Sequence, residues 1–280
     1  MKLLRYGAKG GEKPGMLDAE GRVRALEGVV DDVAGATLTP EGLARLAALD
    51  PAALPPVESP GRLGPCVGRV GKILCIGLNY HDHAAEVGAK PPKEPILFLK
   101  ATSALAGPND PIPLPRGSEK TDWEVELGVV IGAPAKHVSA ARALEHVAGY
   151  CVAHDVSERS FQSERGGQWT KGKSCDGFGP IGPWLVTRDE VPDPQALRLT
   201  CAVNGATMQD GTTADMIFGV AEIVSYLSDF MTLEPGDVIM TGTPAGVGLG
   251  RKPQTFLEPG DVVELAVEGL AVQRQEIVPG

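Results

Sequence analysis

The chain has 280 residues, of which 42% are hydrophobic and only 5% aromatic, so it can fill one large domain with a small appendage, or two modest domains, around a core made mostly of Val, Leu, Ile and Ala. A formal net charge of -10 with no basic patch sets nucleic acid aside as a partner. No run reaches the roughly 18 apolar residues that a membrane helix requires, so no membrane partner is expected either. The segment 1–7 has no long apolar stretch and no cleavage site, which points to a cytoplasmic protein. Five cysteines, an odd number without a CxxC pair, read as reduced core residues.

The first 65 or so residues differ in texture from the rest. Residues 3–6 read as a strand, and Pro14-Gly15 and Glu20-Gly21 as hairpin turns. A short amphipathic helix over 41–49 follows Thr39-Pro40, which supplies an N-cap and an N1 proline. Pro51, Pro55-Pro56, Pro60-Gly61 and Gly64-Pro65 form a linker-like stretch, placing a boundary near residue 70 between a small N-terminal domain (1–70) and a larger main domain (71–280).

From Lys72 onward short apolar strands alternate with turns: 73–77, 95–99, 123–131, 149–156, 181–186, 197–203, 237–241 and 261–267. Helices are few, the clearest at 216–231 and a second at 139–147 closed by Gly149. The fold class is mixed α+β, mostly β. Leu-Glu-Pro-Gly-Asp-Val occurs at 233–238 and again at 257–262, which reads as one Pro-Gly turn used twice to launch a strand.

The segment 121–131 carries the most chemistry. On a strand, Trp123, Val125, Leu127, Val129 and Ile131 share one apolar face, and Asp122, Glu124 and Glu126 share the other. Glu124 and Glu126 then lie about 7 Å apart. Two carboxylates that close repel unless a cation sits between them, and oxygen-only ligands favour Mg²⁺, Mn²⁺ or Ca²⁺. The competing reading is an edge strand with a solvated acidic face. A third carboxylate favours the metal: Asp155 ends an apolar strand, and Ser157 already offers a cap for the next helix.

Around these acids lie further polar candidates. Asn79 can cap a short helix that ends at Gly88, on which His83 and Glu86 stand one turn apart. They form either a water-activating pair or a surface ion pair. Arg159 and Gln162 are spaced i, i+3 and offer a fork for a carboxylate and an amide for a carbonyl. Lys171 and Lys173 bring positive charge in a polar loop, and the loop at 241–250 offers backbone N–H groups and the Thr243 hydroxyl to a carboxylate.

Together these segments resemble the fumarylacetoacetate hydrolase family over about residues 70–270. The carrying motifs are Gly77-Leu78-Asn79-Tyr80 with His83 and Glu86, Asp122-x-Glu124-x-Glu126-Leu127-Gly128, Asp155 with Arg159 and Gln162, Lys173 in its loop, and Thr241-Gly242-Thr243-Pro244. The resemblance implies a mixed β-roll with short helices, usually as a homodimer. It implies Mg²⁺ or Mn²⁺ bound by Glu124, Glu126 and Asp155, with His83 and Glu86 as a catalytic dyad on a short lid. It further implies a catalytic Lys173, and contacts from Lys173, Arg159, Gln162 and Thr243 to a small 2-oxo or 2,4-diketo acid. The segments 1–7 and 168–174 are similar to the sugar-acid branch of that family. Many relatives carry Arg where this chain has Leu78. A decarboxylase or tautomerase on the same scaffold, and a metal-stabilised binding protein without catalysis, are the alternatives.

Overall fold

A computed structural model describes residues 1–280. Strands β1 (Lys2–Tyr6), β2 (Lys13–Leu17) and β3 (Val23–Ala25) open the chain, before helix α1 (Pro40–Ala47). Then come β4 (Ile73–Gly77), α2 (His81–Glu86), β5 (Ile96–Lys100), β6 (Leu105–Ala106), β7 (Ile112–Pro113), β8 (Thr121–Asp122) and β9 (Val125–Ile131). Next are α3 (Ala140–Ala143), β10 (Val147–His154), β11 (Ser157–Glu158), α4 (Arg159–Ser163), α5 (Thr170–Lys173) and β12 (Gly179–Thr187). The chain ends with β13 (Arg198–Val203), β14 (Ala206–Thr212), α6 (Val220–Phe230), β15 (Val238–Met240), β16 (Val262–Val267) and β17 (Ala271–Val278).

The large sheet runs β3-β2-β1-β12-β10-β9-β15-β4-β5, with β6 paired to β12. It is mixed, since β15 lies parallel to β4 and antiparallel to β9. A second sheet, β14-β13-β16-β17-β7, packs on one face. The period-2 pattern of residues 123–131, Trp123 and then β9, fixes this arrangement: Trp123, Val125, Leu127, Val129 and Ile131 enter the core shared with Leu199, Leu265 and helix α6. On the opposite face Val130 joins a second core with Cys75, Cys151 and, from the first segment, Leu3, Leu26 and Leu38. The N-terminal segment is thus woven into the main sheet through β1 and β12.

Local signals act as the sequence suggests in several places. The Thr39 side chain accepts from Gly42 N–H at the start of α1, with Pro40 at the first position. The two Leu-Glu-Pro-Gly-Asp-Val copies fold alike. Gly236 and Gly260 have φ of +98° and +97°, the left-handed position that a type II turn reserves for glycine, and each launches a strand.

Elsewhere tertiary pairing overrides the local pattern. Pro14 and Gly15 lie inside β2, paired to Arg5 and Leu4, and the chain turns earlier, over 7–11. The second helix is four residues of α3 followed by a 3₁₀ turn, and Gly149 belongs to β10, because a Cβ there would meet the Val186 carbonyl oxygen at 2.2 Å. Helix α6 starts at Val220, where the Gly219 N–H donates to Glu222 (3.0 Å), rather than at 216. No helix is long and apolar enough to cross a membrane.

Candidate metal centre and active site

Strand β9 lies between β10 and β15 in the interior of the sheet, so its acidic face meets protein and not solvent. Glu124 is 5% exposed, Glu126 2% and Asp155 0%, which removes the reading of a solvated acidic edge. Asp155 leaves the end of β10 beside them, its N–H donating to the Glu124 carbonyl (3.1 Å). Ligand oxygens from the three carboxylates all lie within 4.8 Å of one another.

Three cations reach this cluster. Lys173 Nζ donates to Glu124 Oε2 (2.8 Å) and Asp155 Oδ2 (2.7 Å). Lys100 Nζ donates to Asp155 Oδ1 (2.5 Å) and to the Val156 carbonyl. Arg159 pairs through Nη1 with Glu124 (2.6 Å) and through Nε with Asp122 (2.8 Å). Four carboxylates, counting Asp122, therefore face three cations, and one carboxyl is left without a cation. It is Glu126, whose hydrogen-bond donor is the Gly242 N–H (2.8 Å). Burial, then Asp155 and Glu124, hold the Glu126 carboxyl well above the usual carboxylate range. Burial also pushes Glu124 up, but Lys173 and Arg159 outweigh it and hold that group low. Burial pulls Lys173 down, yet Asp155 and Glu124 keep its ammonium charged.

The donor set fits a hard dication. Oxygens on opposite sides of one ion stand twice the metal–oxygen distance apart, about 4.2–5.0 Å for Mg²⁺ to Ca²⁺. The three carboxylates, within 4.8 Å of one another, fall inside that span, and a dication would favour the ionised form of Glu126.

His83 and Glu86 form the pair that their spacing suggests. His83 Nδ1 lies 3.2 Å from Glu86 Oε2, and Glu86 Oε1 accepts from the Gly246 N–H (2.9 Å). A carboxylate only accepts, so Nδ1 is the donor of this pair, and in the neutral ring the lone pair is on Nε2. His83 lines the same cavity, of about 190 Å³, as Glu124, Glu126 and Asp155. Arg159, Gln162, Lys173 and Thr243 line it too, and Arg159 Nη1 donates to Gln162 Oε1 (3.2 Å).

Several local readings change. Asn79 does not cap α2. Its amide bonds the carbonyls of Phe218 and Thr241 and the Phe218 N–H, clamping the turn after β4 to two distant segments. Ser157 donates to the Asp155 carbonyl, and Glu158 caps α4 through the Ser160 N–H. The lysine loop is one helical turn, α5, with Lys173 buried and Lys171 exposed. The loop at 241–250 does hold carboxylates, but they are the protein's own: Gly242 holds Glu126, Gly246 holds Glu86, and Gly248 and Leu249 hold Asp122. The Thr243 hydroxyl donates its proton to the Val125 carbonyl (2.8 Å), so it has none to offer a bound carboxylate.

Sequence reasoning missed Lys100, Gln209 and Trp169. Gln209, 1% exposed, accepts from Val125 N–H and donates to Thr243 Oγ1 and the Pro244 carbonyl, bracing β9 against the loop. Trp169 stacks edge-on against Phe98 and walls the cavity. A lysine ending an apolar strand is the one local hint for Lys100; nothing adjacent in sequence marks the other two.

The profile described as "Fumarylacetoacetate (FAA) hydrolase C-terminal" matches residues 72–278, and the chain belongs to that family of enzymes. It is 35% identical to the fumarylacetoacetate hydrolase from psychrophilic Exiguobacterium antarcticum, with all of both chains covered and a TM-score of 0.88. It is also 35% identical to the 2-hydroxyhepta-2,4-diene-1,7-dioate isomerase from Mycobacterium marinum, covering 100% of this chain and 98% of that one with a TM-score of 0.76. A Burkholderia multivorans protein, named provisionally as a hydrolase, is 63% identical over 276 residues, 98% of each chain.

Proposed function

We propose that the chain is an Mg²⁺- or Mn²⁺-dependent hydrolase that cleaves the C3–C4 bond of a 2,4-diketo acid. Our preferred substrate is 2,4-diketo-3-deoxy-L-rhamnonate, with pyruvate and L-lactate as products. One observation carries the reading: His83, held by Glu86, and the carboxyl cluster Glu124, Glu126 and Asp155 line one cavity. The likeness of segments 1–7 and 168–174 to the sugar-acid branch supports the substrate.

Glu124, Glu126 and Asp155 hold the cation, which supplies a Lewis acid for the 2-oxo acid end of the substrate. Arg159 and Gln162 orient that end. Arg159 Nη2, buried without a partner, is a donor free to meet it. His83, aimed by Glu86, takes a proton from water at Nε2, and the hydroxide adds to the C4 carbonyl. The C3–C4 bond breaks, C4 leaves as a carboxylate, and C3 takes a proton to give pyruvate, so one water is consumed. Lys173 and Gln162 balance the developing negative charge. Thr243 contributes by fixing the loop rather than through its hydroxyl proton.

The test is proton NMR of the protein with Mg²⁺ and the rhamnonate. Stoichiometric pyruvate and L-lactate, lost with EDTA, are expected. Cleavage of acetylpyruvate alone moves the activity to a simple acylpyruvate hydrolase. The likeness to the Mycobacterium marinum isomerase favours a second reading, a tautomerase or decarboxylase that needs no attacking water. Release of CO₂, or isomerisation without cleavage, selects it. The family resemblance also leads us to propose a cytoplasmic homodimer or larger homo-oligomer, checked by light scattering.

A further inference from the structure

The cavity wall divides by chemistry. Its two cations, Arg159 and Lys173, are each paired to carboxylates of the cluster. The one buried donor left over in that wall, Arg159 Nη2, belongs to the same group. The apolar side chains of the lining are Ile76, Leu78, Val87, Phe98, Trp169 and Leu249. Arg251 and Lys252, both exposed, line a neighbouring depression, and Val87 and Leu249 are the lining residues that the two spaces share.

Leu78 stands out within the apolar set. Its backbone has φ of +51°, a left-handed conformation costly for a branched side chain unless the surroundings impose it. They do so here from both sides. Gly77 lies so close to Trp169 that an added Cβ would meet the indole at 2.3 Å, and Asn79 is clamped to Phe218 and Thr241. The turn therefore presents Leu78 to the cavity in a fixed position.

We propose that this wall selects 2-oxo acids whose far end is uncharged, with Leu78 as the specificity-determining residue. The proposal rests on the reading that the carboxylate cluster and its cation hold the 2-oxo acid end. A second carboxylate brought against Leu78, Val87 and Leu249 is desolvated away from the charged group, because Arg159 and Lys173, the cations of this lining, are held by the cluster's own carboxylates, and Arg251 and Lys252 stand exposed in the neighbouring depression, outside the lining. A methyl or short alkyl end buries apolar surface there instead.

The test is calorimetric binding to the full chain with Mg²⁺, comparing 2-oxopentanoate with 2-oxoglutarate, which have the same chain length and differ in a terminal methyl against a carboxylate. We expect 2-oxoglutarate to bind at least about tenfold more weakly. Leu78→Arg brings the two ligands within about threefold of each other or reverses them, as a new cation offers the dianion a partner. Leu249→Lys, on the same wall, provides the same reading if Leu78→Arg does not fold. Equal or tighter binding of 2-oxoglutarate to the unaltered protein overturns this proposal alone, as does a preference that neither substitution shifts. Absence of pyruvate binding brings down the parent reading and this one with it. Binding selectivity that holds while no acylpyruvate is cleaved leaves this inference standing and removes the hydrolase.

Discussion

Asp18 and Glu126 are both carboxylates that the fold takes out of water, 7% and 2% exposed, and the chain surrounds them in opposite ways. Asp18 sits at the turn between β2 and β3. It accepts from the N–H groups of Glu20 and Arg22 and from the guanidinium groups of Arg22 (2.9 Å) and Arg24 (2.8 Å). Burial raises its pKa, but the Arg22 N–H and the two arginines outweigh that and bring it down to about 2. Glu126 has a single N–H donor and two carboxylate neighbours, and its pKa moves the other way. Where an acid holds a turn, the sequence supplies cations within six residues. At Glu126, which lines the cavity, no cation is supplied.

The largest expected effect follows from that asymmetry. Glu126→Gln weakens Mn²⁺ binding by more than about a hundredfold, since a ligand is lost and not merely its support. Glu124→Ala removes binding and turnover together. Yet the metal-free Glu126→Gln protein unfolds at no lower temperature than the unaltered chain, because the amide replaces a carboxyl that lacked a counter-ion. Titration calorimetry and thermal unfolding in EDTA read both halves. A Glu126→Gln protein that binds Mn²⁺ normally breaks the comparison at its root.

Next comes His83→Ala, which we expect to lower hydrolysis by about 10²- to 10⁴-fold while Mn²⁺ affinity stays. Full activity in that variant removes the dyad. Lost metal affinity instead assigns His83 to the cation.

How much of this site can be read in advance depends on where each partner lies. The alternation of residues 123–131 announces the acidic face, and the i, i+3 spacings of His83 with Glu86 and of Arg159 with Gln162 survive in the fold as direct contacts. These are local periodicities, which sequence records directly. Asn79 reads as a cap because helix starts favour it, but its partners lie 139 and 162 residues away. Lys100 meets Asp155 across 55 residues. Such residues acquire meaning only once strands are paired. The early turn failed for the same reason: Pro14-Gly15 has turn chemistry, and pairing with β1 overrides it.

Gln209 tests one of those long-range braces. Gln209→Leu leaves the Val125 N–H buried without its acceptor and releases Thr243 and the Pro244 carbonyl, at a cost of about 1–3 kcal/mol. Because Val125 separates Glu124 from Glu126, the loosened strand also raises the metal Kd, whereas Gln209→Glu keeps the acceptor for Val125 and loses the donor to Thr243 and the Pro244 carbonyl. Chemical denaturation beside Mn²⁺ titration separates the two. Lost stability with unchanged metal affinity restricts Gln209 to the fold.

The smallest effect lies at Asp18 and completes the comparison from its other side. Its folded pKa, about 2, is below the ordinary 3.8, so folding favours the ionised form. The stability this gives is fully present above pH 3.8 and is lost as pH falls through about 2. Asp18→Asn keeps an oxygen for the turn N–H groups but gives Arg22 and Arg24 no anion. Its unfolding temperature should therefore sit below that of the unaltered chain at neutral pH, with the gap closing as the pH is lowered across that window. Glu126→Gln, at neutral pH and without metal, should open no such gap. If the Asp18→Asn gap persists undiminished at pH 2, the two arginines hold Asp18 by packing and hydrogen-bond geometry rather than by charge, and the contrast with Glu126 then rests on the missing cation alone.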